Sequence, residues 1–226
     1  MTSDLPYVDK PSIWSSHSRI AAGLKRLPPK SRVLDVGTAS GTLARMCQDY
    51  SLQLCGVEPN PSWARIAEPL YEKIFVGSIQ DAEDDYLTGY DVVVLGDVLE
   101  HLPMPEVILQ KLVDLQSPGS MFIISVPNIA NLWIRLNLLM GKFDYTDRGI
   151  LDRTHLRFFT RKSLSAMLKN TGLEITSTQV TPIPLELISS FFLSMPGRWL
   201  HRVFAQLTSF LPTLLGYQFV VHARKL

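Results

Sequence analysis

The segment GDVLEHL places Asp97, Glu100 and His101 at positions i, i+3 and i+4. On a helical turn that spacing puts all three side chains on one face, so two carboxylates and an imidazole would converge. Such a set can hold a divalent metal, or it can set a histidine base beside a carboxylate that orients it. A structural reading stands beside these two: Asp97 or Glu100 orients a ligand or caps the next helix, and His101 is a buried, hydrogen-bonded histidine. Downstream, GILDRTHLRFFT crowds Asp152, Arg153, His155 and Arg157 into a short connection beside Phe158 and Phe159. Charge at that density in a connection is either an ion-paired surface turn or a lid over a substrate. As a lid it would offer Arg153 and Arg157 to an acceptor and fold His155 over to complete a metal set with Asp97, Glu100 and His101. Asn128, in SVPN, would sit at the rim of the same cleft, where an amide both donates and accepts; the alternative is a plain turn residue after a proline.

A third stretch, VLDVGTASGTLA, is an apolar run ending in glycines and opening a helix, the pattern of a ligand laid against bare backbone. Gly37 and Gly41 give GxxxG, with Ala39 where a dinucleotide fingerprint needs its second glycine. Asp35 would repel a pyrophosphate at that strand end, whereas S-adenosylmethionine, with an ammonium, a sulfonium and no phosphate, suits it. Glu58 ends the next strand in GVEPN, followed by Pro59. A carboxylate there can accept both ribose hydroxyl hydrogens.

These groups need a frame. RVLDVG, LQLCGVE, KIFVG, YDVVVLGDV and MFIISV read as five strands alternating with helices at 42–50, 61–71 and 105–115, which implies a parallel sheet with helices on both faces. A helix over 12–27, with Ile13, Ile20, Leu24 and Leu27 at helical spacing, precedes them, and Pro28-Pro29 stops it. After the fifth strand, 129–140 reads as an apolar helix within a covering segment, 129–159. Thr160 is placed as N-cap and Gly172 as C-cap of the helix RKSLSAMLKN. LEITSTQV and YQFVVHARK are the sixth and seventh strands. Between them lies an apolar insertion, 183–216, read as two short helices divided at Pro196-Gly197 and Pro212, with no stretch reaching the roughly 18 to 20 apolar residues of a membrane span.

VLDVGTASG, GVEPN and YDVVVLGDVLEHL together resemble the class I S-adenosylmethionine-dependent methyltransferases. The resemblance covers nearly the whole chain and implies one doubly wound α/β domain, 1–226, with a seven-stranded, mostly parallel sheet ending in antiparallel strands. It implies that Asp35, Gly37, Thr38 and Gly41 line the methionine part of the cofactor, that Glu58 and Pro59 meet the ribose, and that Ser78, Ile79 and Asp81 flank the adenine. Gly96 and Asp97 close the same site. The D-x-x-E-H turn resembles the E-x-x-E-H of metal-dependent ubiquinone-pathway and small-RNA O-methyltransferases, Asp97 standing for the first glutamate. The lid phrase resembles one in methyltransferases of bacterial glycan and secondary-metabolite pathways, implying a sugar, lipid-linked or secondary-metabolite acceptor.

The expected activity is therefore O-methylation of a small molecule. Two alternatives are a metal-assisted 2′-O-methyltransferase of RNA ends and a cofactor-binding regulator without catalysis. A net charge of +1 gives no global electrostatic case for DNA or other nucleic acid. With 226 residues, 46% hydrophobic, the chain can bury one substantial core. Cys47 and Cys55 lack metal-type spacing and read as structural thiols in a reducing compartment. The polar, proline-broken start MTSDLPYVDKPS has no apolar leader core, so a cytoplasmic enzyme is expected. In the insertion, Phe191, Phe192 and Trp199 lie near Arg198 and Arg202; core packing is the default for them and for Trp133, with an acceptor wall, a dimer face or a lipid-touching surface as the other options.

Overall fold

The computed structural model describes residues 12–226; the leader reading at the start of the chain falls outside them, apart from Ser12. The first helix, α1 (Ser16–Leu24), buries Ile20, Ala21 and Leu24. It is shorter than the 12–27 expected, because the Ser15 side chain accepts from Ser18 N and caps it there. Ile13 consequently lies outside the helix and is 71% exposed.

There follow β1 (Arg32–Val36), α2 (Thr42–Cys47), β2 (Gln53–Glu58), α3 (Pro61–Ala67), β3 (Lys73–Val76), the single turn α4 (Asp84–Leu87), β4 (Val92–Gly96), α5 (Pro105–Leu115) and β5 (Met121–Pro127). α2 and α3 end short of their expected limits, α3 passing into a 3₁₀ turn over Glu68–Leu70. Beyond β5 come α6 (Leu132–Leu139), α7 (Arg161–Asn170), β6 (Leu173–Thr181), α8 (Met195–Phe210), α9 (Pro212–Leu215) and β7 (Gln218–Lys225). Asn131 accepts from Trp133 N and so starts α6 three residues later than its apolar pattern suggests. Thr160 caps α7 through a reciprocal pair with Ser163, and Gly172 follows the helix at φ +80°.

The seven strands form one sheet in the order β3-β2-β1-β4-β5-β7-β6. β1 to β5 pair in parallel, whereas β7 runs antiparallel to both β5 and β6. Only β7 is therefore reversed, not the last two strands. Strand alternation feeds two cores: Val93 and Leu95 of β4 enter one, and Val92 and Val94 the other. The order of winding reverses between β1 and β4, and in open α/β sheets ligands bind outside the carboxyl ends of the strands at that point.

The insertion departs from expectation. Pro196-Gly197 does not divide it; Pro196 occupies the first turn of α8, where a missing N–H breaks no helical bond, and Ser194 accepts from Gly197 N to cap that turn. Short 3₁₀ turns over Leu185–Leu187 and Ser190–Leu193 precede it. Nor is it a core element throughout, since Phe191 and Trp199 are 50% and 67% exposed, and Trp133 of α6 is 64% exposed. Among the described residues no helix is long and apolar enough to cross a membrane. Cys47 and Cys55 are free and buried, and burial together with nearby Asp35 pushes the Cys47 thiol up to about 12.

Candidate active site

The turn between β1 and α2 needs its glycines. Gly37 and Gly41 sit at φ +78° and +88°, and a Cβ at either would fall 2.8 Å from Val98 Cγ2 or 2.7 Å from Leu70 Cδ1. Glu58, only 3% exposed at the end of β2, accepts from Ala39 N at 2.7 Å and from Asn60 N at 2.9 Å, so it pins the turn against its own strand. Burial raises its pKa while those two N–H groups oppose the rise. An ionised carboxylate has about four acceptor positions, leaving two for a diol. Asp35, also buried, accepts from the Tyr71 hydroxyl at 2.5 Å. Burial drives its pKa up to about 6, against the hydrogen bond from Tyr71 and the charge of His17. Bare backbone, a carboxyl suited to a cation and a carboxylate with free lone pairs fit S-adenosylmethionine. Thr38 is buried with its methyl group against β2, Pro59 is exposed, Ser78 donates to the Gln80 side chain, Ile79 is core and Asp81 is exposed.

The D-x-x-E-H turn does not converge as its spacing suggests. After Gly96, which ends β4, Asp97 takes φ +58° and the chain enters a 3₁₀ turn, Leu99–His101. Asp97 is held by serines: Ser125 Oγ donates to Oδ1 at 2.7 Å and Ser16 Oγ to Oδ2 at 3.1 Å. The side chains that do meet are Glu100, His101 and His155, whose ligating atoms all lie within 4.8 Å of one another. Glu100 is 1% exposed and neither carboxyl oxygen has a partner among the described residues; burial, then Asp97, then Asp152 hold its pKa well above the usual range. Its backbone carbonyl accepts from Leu156 N and Arg157 N, which fastens the 152–157 loop over the turn. The His101 and His155 rings stand 4.9 Å apart, edge to face. His101 Nδ1 lies 3.3 Å from Thr154 O and 3.2 Å from Thr154 Oγ1, and Thr154 Oγ1 donates to Asp152. Part of the His101 side chain meets solvent, yet burial and then His155 lower its pKa. His155 Nδ1 lies 3.1 Å from the Ile150 carbonyl, which leaves Nε2 for the cluster.

A family model described as a methyltransferase domain matches residues 15–178, well over half of the chain. The chain belongs to the class I S-adenosylmethionine-dependent methyltransferases. Among curated relatives, the ubiquinone biosynthesis O-methyltransferase of Xanthomonas axonopodis pv. citri (strain 306) is 26% identical over 156 residues, 66% of this chain and 64% of the relative. The mitochondrial enzyme of that name from Mus musculus is also 26% identical over 156 residues, 64% of this chain and 41% of the relative. The chain thus spans less than two thirds of the length of either. A SAM-dependent methyltransferase from Archaeoglobus fulgidus superposes with a TM-score of 0.60 at 20% identity, covering 92% of this chain and 94% of that one. Magnesium protoporphyrin IX methyltransferase from Synechocystis PCC 6803, with bound SAH, gives 0.61 at 15% identity, covering 93% and 82%. Those two likenesses carry the fold alone.

In this methyltransferase the three polar residues expected to meet an acceptor have partners within the chain. Asn128 is fully buried; its Nδ2 donates to the carbonyls of Thr213 and Gly216, and its Oδ1 accepts from Ala130 N. Arg153 pairs with Asp147 at 2.6 Å on the surface, and Arg157 donates to the Pro103 carbonyl. Asn128→Ala should consequently cost stability, about 1 to 3 kcal/mol for the orphaned buried groups, read as a lower melting temperature with cofactor affinity unchanged. The sequence gives no signal for Tyr71, Ser16, Ser125 or Thr154, which hold the site's acids and His101, because each reaches its partner across elements. Ser125, for instance, is placed beside Asp97 by the pairing of β5 with Gly96.

Proposed function

We propose that the protein transfers a methyl group from S-adenosylmethionine to a hydroxyl oxygen of a small-molecule acceptor, a sugar, lipid-linked or secondary-metabolite alcohol or phenol. The observation that carries this reading is the Glu100–His101–His155 cluster at the carboxyl end of β4, beside the point where the strand order reverses. O-methylation is also the activity for which the ubiquinone-pathway relatives are named. Asp35, Gly37, Thr38 and Gly41 take the methionine end, Glu58 and Pro59 the ribose, and Ser78, Ile79 and Asp81 the adenine, with Gly96 and Asp97 closing the cleft. Bound there, the cofactor would supply an electrophilic sulfonium methyl for the acceptor oxygen, with S-adenosylhomocysteine as the leaving group. His101, with Nδ1 turned to Thr154, receives the hydroxyl proton on Nε2. Its lowered pKa keeps the imidazole neutral and able to do so near pH 7. Alignment by the turn and the lid supplies the rest of the acceleration.

The two unpartnered oxygens of Glu100 favour a second reading of the same cluster. Glu100, His101 and His155 would hold a divalent metal, which would compensate the buried carboxylate and lower the pKa of an acceptor hydroxyl. Asp97 takes no part, being engaged by Ser16 and Ser125.

Incubation with methyl-labelled S-adenosylmethionine and a panel of phenolic, sugar and isoprenoid-linked alcohols tests the function. Label is expected as an O-methyl ether; label on nitrogen or carbon would overturn the reading. A second expectation concerns pH. The groups that share electrostatic coupling with Asp35 are Tyr71, His17, Cys47 and Glu58. In the free protein Asp35 has its pKa raised from 3.8 to about 6, so it stabilises the fold below 3.8 and that contribution is lost as pH rises through about 6. A cationic ligand prefers the ionised carboxylate. Affinity for S-adenosylhomocysteine should therefore fall as pH drops through about 6, approaching tenfold per pH unit, and a flat calorimetric profile from pH 5 to pH 7 would remove Asp35 from the cofactor site.

A further inference from the structure

The helix α8 wears its amphipathic pattern inside out. The residues it buries, Gly197, His201, Ala205 and Thr208, are small or polar and fall on one helical face. Its solvent face shows Met195, Trp199, Leu207 and Phe210, which are 77%, 67%, 51% and 81% exposed. A helix whose only role is to pack on its own domain has the opposite arrangement. The patch continues before the helix through Phe191 and Leu193, 50% and 60% exposed. At its other end, Asn131 donates to the carbonyls of Leu215 and Gly216, which brings the start of α6 against α9. α6 repeats the feature, with Trp133 and Leu139 at 64% and 84% exposed.

The charge on this region is of one sign. Residues 187–226 contain no Asp or Glu, and neither do residues 129–143. Glu186, the acid immediately before, is turned inward with Oε2 3.3 Å from His201 Nδ1. Arg198 and Arg202 are exposed on α8, and Lys142 follows α6. Exposed tryptophan, phenylalanine and leucine beside arginines, without acids, is the composition of a helix lying in a lipid interface. A two-fold contact with a second copy would instead set arginine against arginine with no carboxylate among the described residues of the patch to pair them.

We propose that the α8 face docks peripherally on an anionic lipid bilayer, with Trp199 and Phe210 entering the headgroup boundary and Arg198 and Arg202 facing lipid phosphates. The helix lies on the surface rather than crossing it, being 16 residues long with two arginines. The proposal is independent of which acceptor the enzyme methylates.

Flotation of the full chain with vesicles tests it. Association is expected with phosphatidylcholine vesicles containing phosphatidylglycerol, to weaken with salt, and to be much lower on phosphatidylcholine alone. Trp199→Ser combined with Phe210→Ser should reduce binding at least about tenfold, with unchanged melting temperature and S-adenosylhomocysteine affinity. Arg198→Gln and Arg202→Gln should each cost about fivefold, and this pair decides the matter if the serine variant fails to fold. Absence of vesicle binding, or equal binding by the arginine variants, overturns the proposal. So does a wild-type dimer in ultracentrifugation that the serine variant dissolves, since the face would then belong to a second copy.

Discussion

His101→Ala is expected to lower turnover at least about 100-fold, within the usual range for losing a positioned general base, while cofactor affinity stays near that of the wild type. The expectation rests on geometry: His101 is the member of the buried cluster with an exposed edge, and Thr154 orients its ring from the loop that closes over it. Both readings of the cluster share this outcome, and chelation separates them. If His101 acts as a base alone, full activity persists in EDTA. If Glu100, His101 and His155 hold a metal, EDTA abolishes turnover, Mg²⁺ or Mn²⁺ restores it, and His155→Ala raises the metal concentration required. Glu100→Gln adds a second discriminator, since it removes the charge that a metal needs yet relieves a buried acid of its desolvation cost. It should raise thermal stability if the site works without metal. Near-normal turnover by His101→Ala would return all three side chains to a structural role.

Glu58→Ala is expected to weaken S-adenosylhomocysteine binding by roughly 10- to 150-fold, the equivalent of about 1.5 to 3 kcal/mol for a charge-assisted hydrogen bond. That figure counts the ribose contact, and a second loss adds to it. The ribose hydroxyls lose a charged acceptor, and the glycine turn loses the carboxylate that fixes Ala39 N and Asn60 N. Calorimetry on Glu58→Gln helps to part them, because the amide keeps one carbonyl oxygen for the turn but carries no charge. A folded Glu58→Ala variant with unchanged affinity, or a wild type that prefers NAD to S-adenosylhomocysteine, would remove the assignment.

Much of the frame was readable from the chain because its determinants are local. A β-branched run such as Val92–Val94, a proline at the first helical position such as Pro105, and the Thr160–Ser163 cap act within one element and need no distant partner. Helix ends were less legible: Ser15 and Asn131 each capped a helix inside its apolar pattern, because a side-chain oxygen beside a free N–H outweighs hydrophobic periodicity at a terminus.

The candidate site divides along the same line. The sequence by itself determined the glycine turn, the acids at the ends of β1 and β2, and the family to which they point, since each is a strand end read in order. Only the tertiary structure decided which side chains meet. The positive φ of Asp97 and the serines that bind it took that residue out of the cluster, and the Glu100 carbonyl drew the distant His155 loop in. It likewise bound Asn128 and Arg157 to buried or loop carbonyls, and turned Trp199 outward on α8. Spacing along a chain specifies a face only once the local backbone is known, and a polar side chain goes to the unsatisfied backbone group that packing places within its reach.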